Sequence, residues 1–86
     1  MNNTTKPALT KFELDLLEHI QPHAAKLNIG DITDAEHLFD PDYWFSIPPS
    51  EHRVLGGYVS RLVARGLLPL VAAEFDSDRH NLYRRI

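Results

Sequence analysis

The stretch from Ser50 to Gly66 restricts the possible folds of this chain more than any other. At 100° per residue its apolar side chains gather on one side, which predicts an amphipathic helix over residues 50–65: Val54, Leu55, Tyr58, Val59, Leu62 and Val63. Ser50 is a favourable N-cap residue, and Gly66 is a typical stop signal. Two adjacent glycines interrupt this helix, although each costs about 1 kcal/mol relative to alanine.

The opposite side of this helix combines small residues with arginines: Arg53, Gly56, Gly57, Ser60, Arg61 and Ala64, with Arg65 at its edge. We interpret Gly56, nearer the apolar side, as a packing residue where the helix crosses the first helix. We interpret Gly57, near the middle of the outer face, as a point where a ligand approaches the backbone. Arginines beside such a bare surface can reach phosphates and base edges.

The residues after Gly66 have the alternation of two β-strands. Leu70, Ala72 and Glu74 alternate with Val71, Ala73 and Phe75, and a similar pattern runs from Asn81 to Ile86. The polar run DSDRH, residues 76–80, separates the two segments. We therefore predict a β-hairpin over residues 69–86 with a charged tip.

The first half of the chain contains two helix start signals. Thr10 with Glu13, and Thr33 with Glu36, both have the spacing of a capping box. The first opens a helix with apolar residues at helical spacing, and Pro22 either ends this helix near residue 20 or lies within it. The second opens a short helix with an apolar inner side formed by Ala35, Leu38 and Phe39.

The segment DPDYWFSIPPS, residues 40–50, allows two structures. Asp40 followed by Pro41 is typical of a further helical turn, whereas three neighbouring aromatic residues before two prolines also suit an extended segment. We predict that the aromatic residues Tyr43, Trp44 and Phe45 mainly fill the core, and a protein-binding patch is the alternative.

Composition fits a small globular domain. The chain has 86 residues, 43% of them apolar, which suggests one domain over residues 8–86 after a flexible N-terminus at residues 1–7. It contains no cysteine, no apolar run of membrane-spanning length and no secretion signal. We therefore expect a cytoplasmic protein without a membrane partner. We expect neither enzyme activity nor a cofactor, because no catalytic or cofactor motif is recognisable.

The net charge of −3 is distributed unevenly. Residues 1–52 carry three lysines and nine carboxylates, a balance of −6, whereas residues 53–86 carry six arginines and three carboxylates, a balance of +3. Such a division favours a polyanion-binding face in the second half. His19 and His23 have the spacing of metal ligands on a helix, but Pro22 intervenes and no third ligand is evident, so we expect no metal site.

The order of these elements resembles that of the winged helix-turn-helix superfamily. A helix, a short helix and an amphipathic helix ending in SRLVARGLL precede a hairpin ending in DSDRHNLYRRI. The fold class implied is α+β, mainly α, with three helices and a C-terminal two-stranded β-hairpin wing. The resemblance covers residues 9–86.

The resemblance implies binding to double-stranded DNA and a role as a transcriptional regulator. Helix 50–65 would enter the major groove, and the wing would reach the backbone or the minor groove. The residues implied to contact DNA are Arg53, Gly57, Ser60, Arg61 and Arg65 on the helix, and Arg79, His80 and Arg84 on the wing. A homodimer would multiply the contacts through paired half-sites.

The alternative is a winged-helix module that binds another protein, such as a phage or mobile-element modulator of nucleic-acid machinery. The acidic half, residues 13–51, would then be the working surface. Asp76 and Asp78 in the wing tip, which would repel phosphate, and the acidic net charge favour this alternative.

Overall fold

The chain forms three α-helices and three short strands, with the last two strands following the last helix. The computed structural model describes residues 8–73 and 81–86. Its elements are α1 (Lys11–Lys26), β1 (Ile32–Asp34), a 3₁₀ turn (Glu36–Leu38), α2 (Pro41–Ser46), α3 (Pro49–Ala64), β2 (Leu70–Ala72) and β3 (Leu82–Arg85). The predicted α+β class, mainly helical with three α-helices, is confirmed.

The strands form one antiparallel sheet in the order β1–β3–β2. Val71 pairs with Arg84 across the hairpin, which confirms that the last two strands are adjacent. The prediction of a two-stranded sheet is wrong, because β1 pairs with the other edge of β3 and places Thr33 opposite Tyr83. The predicted hairpin tip, residues 76–80, lies outside the described residues.

Helix α1 begins at the first predicted capping box. The Thr10 amide donates to Glu13 Oε1 at 2.9 Å, and the Glu13 amide donates to Thr10 Oγ1 at 3.1 Å, which confirms both bonds of the motif. The helix then continues through Pro22 to Lys26. Of the two alternatives for this region, the structure therefore has proline inside the helix.

The second predicted capping box is wrong. Thr33 is a buried residue of β1, and the amide of His37 instead donates to Asp34 Oδ1 at 3.0 Å. Helix α2 begins with Pro41, as the helical alternative predicted, because a proline at the first helical position gives up no intrahelical hydrogen bond. The core-filling prediction is wrong for Phe45, whose exposed fraction is 71%.

Helix α3 begins slightly before the predicted position and ends where the stop signal predicted. The predicted bounds of 50–65 and the Ser50 cap are wrong, because Pro49 opens the helix. At the other end, Gly66 adopts a φ of 74°, and its amide donates to the Val63 carbonyl. The Leu67 amide donates to the Leu62 carbonyl, so these two bonds complete a Schellman motif.

The core lies between α1, α3 and the inner face of the sheet. Its buried apolar members are Leu16, Ile20, Ala24, Leu38, Phe39, Trp44, Leu55, Val59, Leu62, Val63, Leu68, Leu70 and Tyr83. The predicted apolar side of α3 is largely confirmed, except that Val54 is 55% exposed. Among the described residues, no helix is long and apolar enough to cross a membrane.

Candidate nucleic-acid interface

The outward face of α3 is the side opposite its buried residues. Leu55, Val59 and Leu62 are buried, so the residues on the opposite side point away from the core. Arg53 and Arg61 are exposed there, and the half-buried Gly57 lies between them in the sequence. Three of the implied DNA contacts therefore share one accessible helix face.

The two helical glycines have free space beside them. A methyl group built on Gly56 would have no packing neighbour within 4 Å, so the interpretation of Gly56 as a helix-crossing residue is wrong. A methyl group on Gly57 would meet only the Arg61 Nη2 atom, at 3.7 Å, which is an ordinary contact. Neither glycine is required by packing against another element, and both leave the backbone of α3 open to an approaching molecule.

Arg61 is held against an aromatic ring. Its guanidinium carbon lies 4.7 Å from the centroid of the Tyr58 ring, within the range of a cation–π interaction. Phe12 of α1 packs edge-on against the same ring, with the centroids 5.0 Å apart. The Arg61 guanidinium therefore lies against a tyrosine ring that itself packs against α1.

Arg65 is half-buried at the end of α3 and lies on the same side as Arg61. The pKa of Glu13 in α1 is lowered from its usual value, chiefly by the hydrogen bond from the Thr10 amide. The positive charges of Arg65 and Arg61 add to this lowering. The positive charges of Arg61 and Arg65 therefore act on the Glu13 carboxylate of α1.

Ser60 serves the fold through its hydroxyl group. Ser60 Oγ lies 2.6 Å from the Tyr83 hydroxyl and accepts a 3.0 Å hydrogen bond from Asn81 Nδ2. These bonds connect α3 to the beginning of β3. The sequence pattern missed this role, because its partners lie more than 20 residues away along the chain.

Of the implied wing contacts, only Arg84 is among the described residues, and it is not brought together with those of the helix. Arg79 and His80 lie outside the described residues. Arg84 is exposed in β3, between Ile32 and Val71 of the neighbouring strands. Because side chains alternate along a strand and Tyr83 points towards α3, Arg84 occupies the sheet face directed away from that helix.

A groove of about 860 Å³ runs beside the open face of α3. The lining residues come from β1 and the turn after it, from α2, from α3 and from the segment at β3: Asp34, Ala35, Glu36, Trp44, Pro49, His52, Arg53, Gly56, Gly57, Asn81 and Tyr83. Two carboxylates and Arg53 thus line the same groove. The groove could not be predicted from the sequence, because its lining residues come from segments far apart in the chain.

The histidines near α2 have structural neighbours. His19 stacks on Tyr43 with the ring centroids 4.6 Å apart, and His23 Nε2 donates to Asp40 Oδ1 at 3.0 Å. His52 stacks on Trp44 at 4.0 Å and donates to the Trp44 carbonyl. No group of three or more side chains able to hold a metal ion occurs in the described ranges, 8–73 and 81–86.

Comparisons of this chain with protein-family models, with curated proteins and with solved structures find no match.

Proposed function

We propose that this chain is a small winged-helix protein that binds double-stranded DNA and acts as a transcriptional regulator. The observation that carries the proposal is the open face of α3, where Gly57 exposes the backbone between the exposed Arg53 and Arg61. The major groove of DNA accepts an α-helix. A helix without a side chain at its centre can lie deeper, while flanking arginines reach phosphates and guanine edges.

The element order supports this proposal. Three helices followed by a β-hairpin, with an additional strand β1 pairing with β3, are compatible with a winged helix. In that arrangement α3 is the reading helix and the hairpin β2–β3 is the wing. The Schellman motif after α3 and the bonds of Ser60 set the position of the wing relative to the helix.

In this proposal each arginine has a distinct role. Arg53, near the beginning of α3, and Arg61, supported by Tyr58, contact phosphates or base edges on either side of Gly57. Arg65, Arg79 and His80 are assigned to peripheral phosphate contacts, whereas Arg84, on the sheet face directed away from α3, is not part of the proposed interface. Ser60 contributes indirectly, because its hydroxyl fixes β3 against α3.

The proposal includes a cytoplasmic location and a homodimer on paired half-sites. Exposed apolar side chains on α1 and α2 support the self-association, since Leu14 is 47% and Phe45 is 71% exposed.

A second candidate function is recognition of a basic protein partner through the acidic half. The specific observation in its favour is that Asp34 and Glu36 line the groove beside α3, where they would repel phosphate. Charge reversal separates the two candidates. If DNA binding is the function, Arg61→Glu abolishes it in a functional assay and Glu36→Lys is tolerated, and the second candidate requires the opposite result.

Amide chemical-shift mapping with a duplex of random sequence tests the first proposal. We expect the largest changes at Arg53, Gly57 and Arg61, with none at Ala25 on the exposed side of α1. Changes confined to α1, or no changes in a folded protein at low salt, would contradict the assignment of α3 as the reading helix.

A further inference from the structure

The groove beside α3 is lined by side chains of both charges. Asp34 and Glu36 line it from β1 and the turn that follows, and Arg53 lines it from α3. Within the described part of the chain, Glu36 and Arg53 form no ion pair across this space. Asp34 uses one oxygen, Oδ1, to accept from the amide and the ring of His37, so its second oxygen is left for an occupant.

The groove lacks side chains at two adjacent positions of α3. Gly56 and Gly57 both line it, and a methyl group built on Gly56 would have open space around it. Retaining two adjacent helical glycines lowers helix stability. Packing within the protein does not explain Gly56, whereas an occupant lying close to the helix backbone does.

We propose that this groove binds an extended, positively charged segment of a partner protein. An arginine or lysine side chain would meet Asp34 and Glu36, and the segment's backbone carbonyls would accept hydrogen bonds from Arg53. An extended main chain needs the close approach that Gly56 allows. Charge complementarity thus selects a peptide over a bare cation, because a peptide offers both a cationic side chain for the carboxylates and backbone carbonyls for Arg53. The inference rests on the second candidate function and names its ligand, and because Arg53 and Gly57 also belong to the proposed DNA face, a bound duplex would exclude the peptide.

Trp44 supplies a reporter inside the groove. It is the only tryptophan in the chain, it lines the groove, and it stacks on His52. Its fluorescence therefore distinguishes occupancy of this groove from a basic peptide held loosely at the acidic surface.

The test is a titration of the whole protein, without DNA, with a six-residue peptide of alternating arginine and glycine. The matched control peptide carries neutral citrulline in place of arginine. We expect saturable binding with a change in Trp44 emission, and about tenfold weaker binding of the citrulline peptide. Binding that leaves Trp44 emission unchanged, or no binding at low ionic strength, would overturn the proposal.

Two variants locate the binding site. A Cβ atom at Gly56 would meet no atom within 4 Å, so Gly56→Leu directs its side chain into the groove and is expected to weaken peptide binding by about tenfold, whereas Ala25→Leu on the exposed side of α1 is the matched control. Glu36→Gln removes one groove charge without changing side-chain size and is expected to weaken binding by about threefold. Equal affinity of wild type, Gly56→Leu and Glu36→Gln would show that the peptide binds elsewhere.

Discussion

The hydroxyl of Tyr83 lies 2.6 Å from the Oγ atom of Ser60, which joins the buried centre of β3 to α3. Tyr83 is only 2% exposed, so its hydroxyl needs a partner inside the protein. Asn81 donates to the same serine oxygen. The hairpin that follows α3 is thereby held by polar contacts as well as by the apolar core.

This relationship predicts that Ser60→Ala lowers the free energy of unfolding by about 1 kcal/mol, because the Tyr83 hydroxyl loses its partner. Tyr83→Phe is expected to cost a similar amount. The double variant should cost less than the sum of the two, because both remove the same bond. Urea denaturation of the four proteins measures this coupling, and strictly additive losses would show that the bond contributes nothing.

Gly57 gives a prediction in which stability and binding change in opposite directions. Gly57→Ala adds a methyl group that meets only Arg61 Nη2 at 3.7 Å, so helix propensity should raise the free energy of unfolding by about 1 kcal/mol. If α3 binds duplex DNA as proposed, the same methyl group should hold the DNA groove away from the backbone and weaken duplex binding by about 1 kcal/mol, roughly fivefold. A more stable variant with unchanged duplex affinity would remove Gly57 from the interface.

The arginines of α3 predict a change in salt dependence. Arg53→Ala and Arg61→Ala should each weaken duplex binding across all sequences and reduce the slope of log K against log salt by about 1. Lys26→Ala, at the end of α1, is the matched control and should leave the slope unchanged. Equal slopes for all four proteins would place the phosphate contacts elsewhere.

His37 makes stability depend on pH. Its Nδ1 lies 2.6 Å from Asp34 Oδ1, and this hydrogen bond, assisted by the Asp34 charge, raises the pKa of His37 above its usual value of 6.5. Because the folded-state pKa is the higher one, the stabilisation is complete below about pH 6.5 and disappears as pH rises through the folded-state pKa.

Two measurements check this pH dependence. Urea denaturation should show a stability difference between wild type and His37→Gln that decreases as pH rises above 6.5. In an NMR titration, Asp34→Asn should bring the His37 midpoint back towards its usual value. An unchanged midpoint in Asp34→Asn would exclude Asp34 as the cause.

The local signals in the sequence predicted local structure well. Thr10 and Glu13 form the expected capping box, and Gly66 ends α3, because both motifs are completed within a few residues. Thr33 and Glu36 have the same spacing but form no capping box, because Thr33 pairs with β3 as part of the sheet. A three-residue strand such as β1 has too little alternation to be recognised without its distant partner.

The candidate site was predictable only in part. The helical period placed Arg53, Gly57 and Arg61 on one face of α3, which the structure bears out. The bonds of Ser60 and the groove depend on contacts between residues far apart in the sequence. Gly56 is the clearest example, because a helical wheel shows which way a residue points but not whether another element packs there.

Binding of the wild-type chain to a random-sequence duplex, followed by fluorescence anisotropy across a salt series, tests the central claim most directly. We predict saturable binding whose log K falls linearly with log salt, because the arginines of α3 displace counterions from phosphates. The slope should decrease in Arg53→Ala/Arg61→Ala. Absence of binding at low salt by a protein shown to be folded would contradict the assignment of duplex DNA as the ligand of α3.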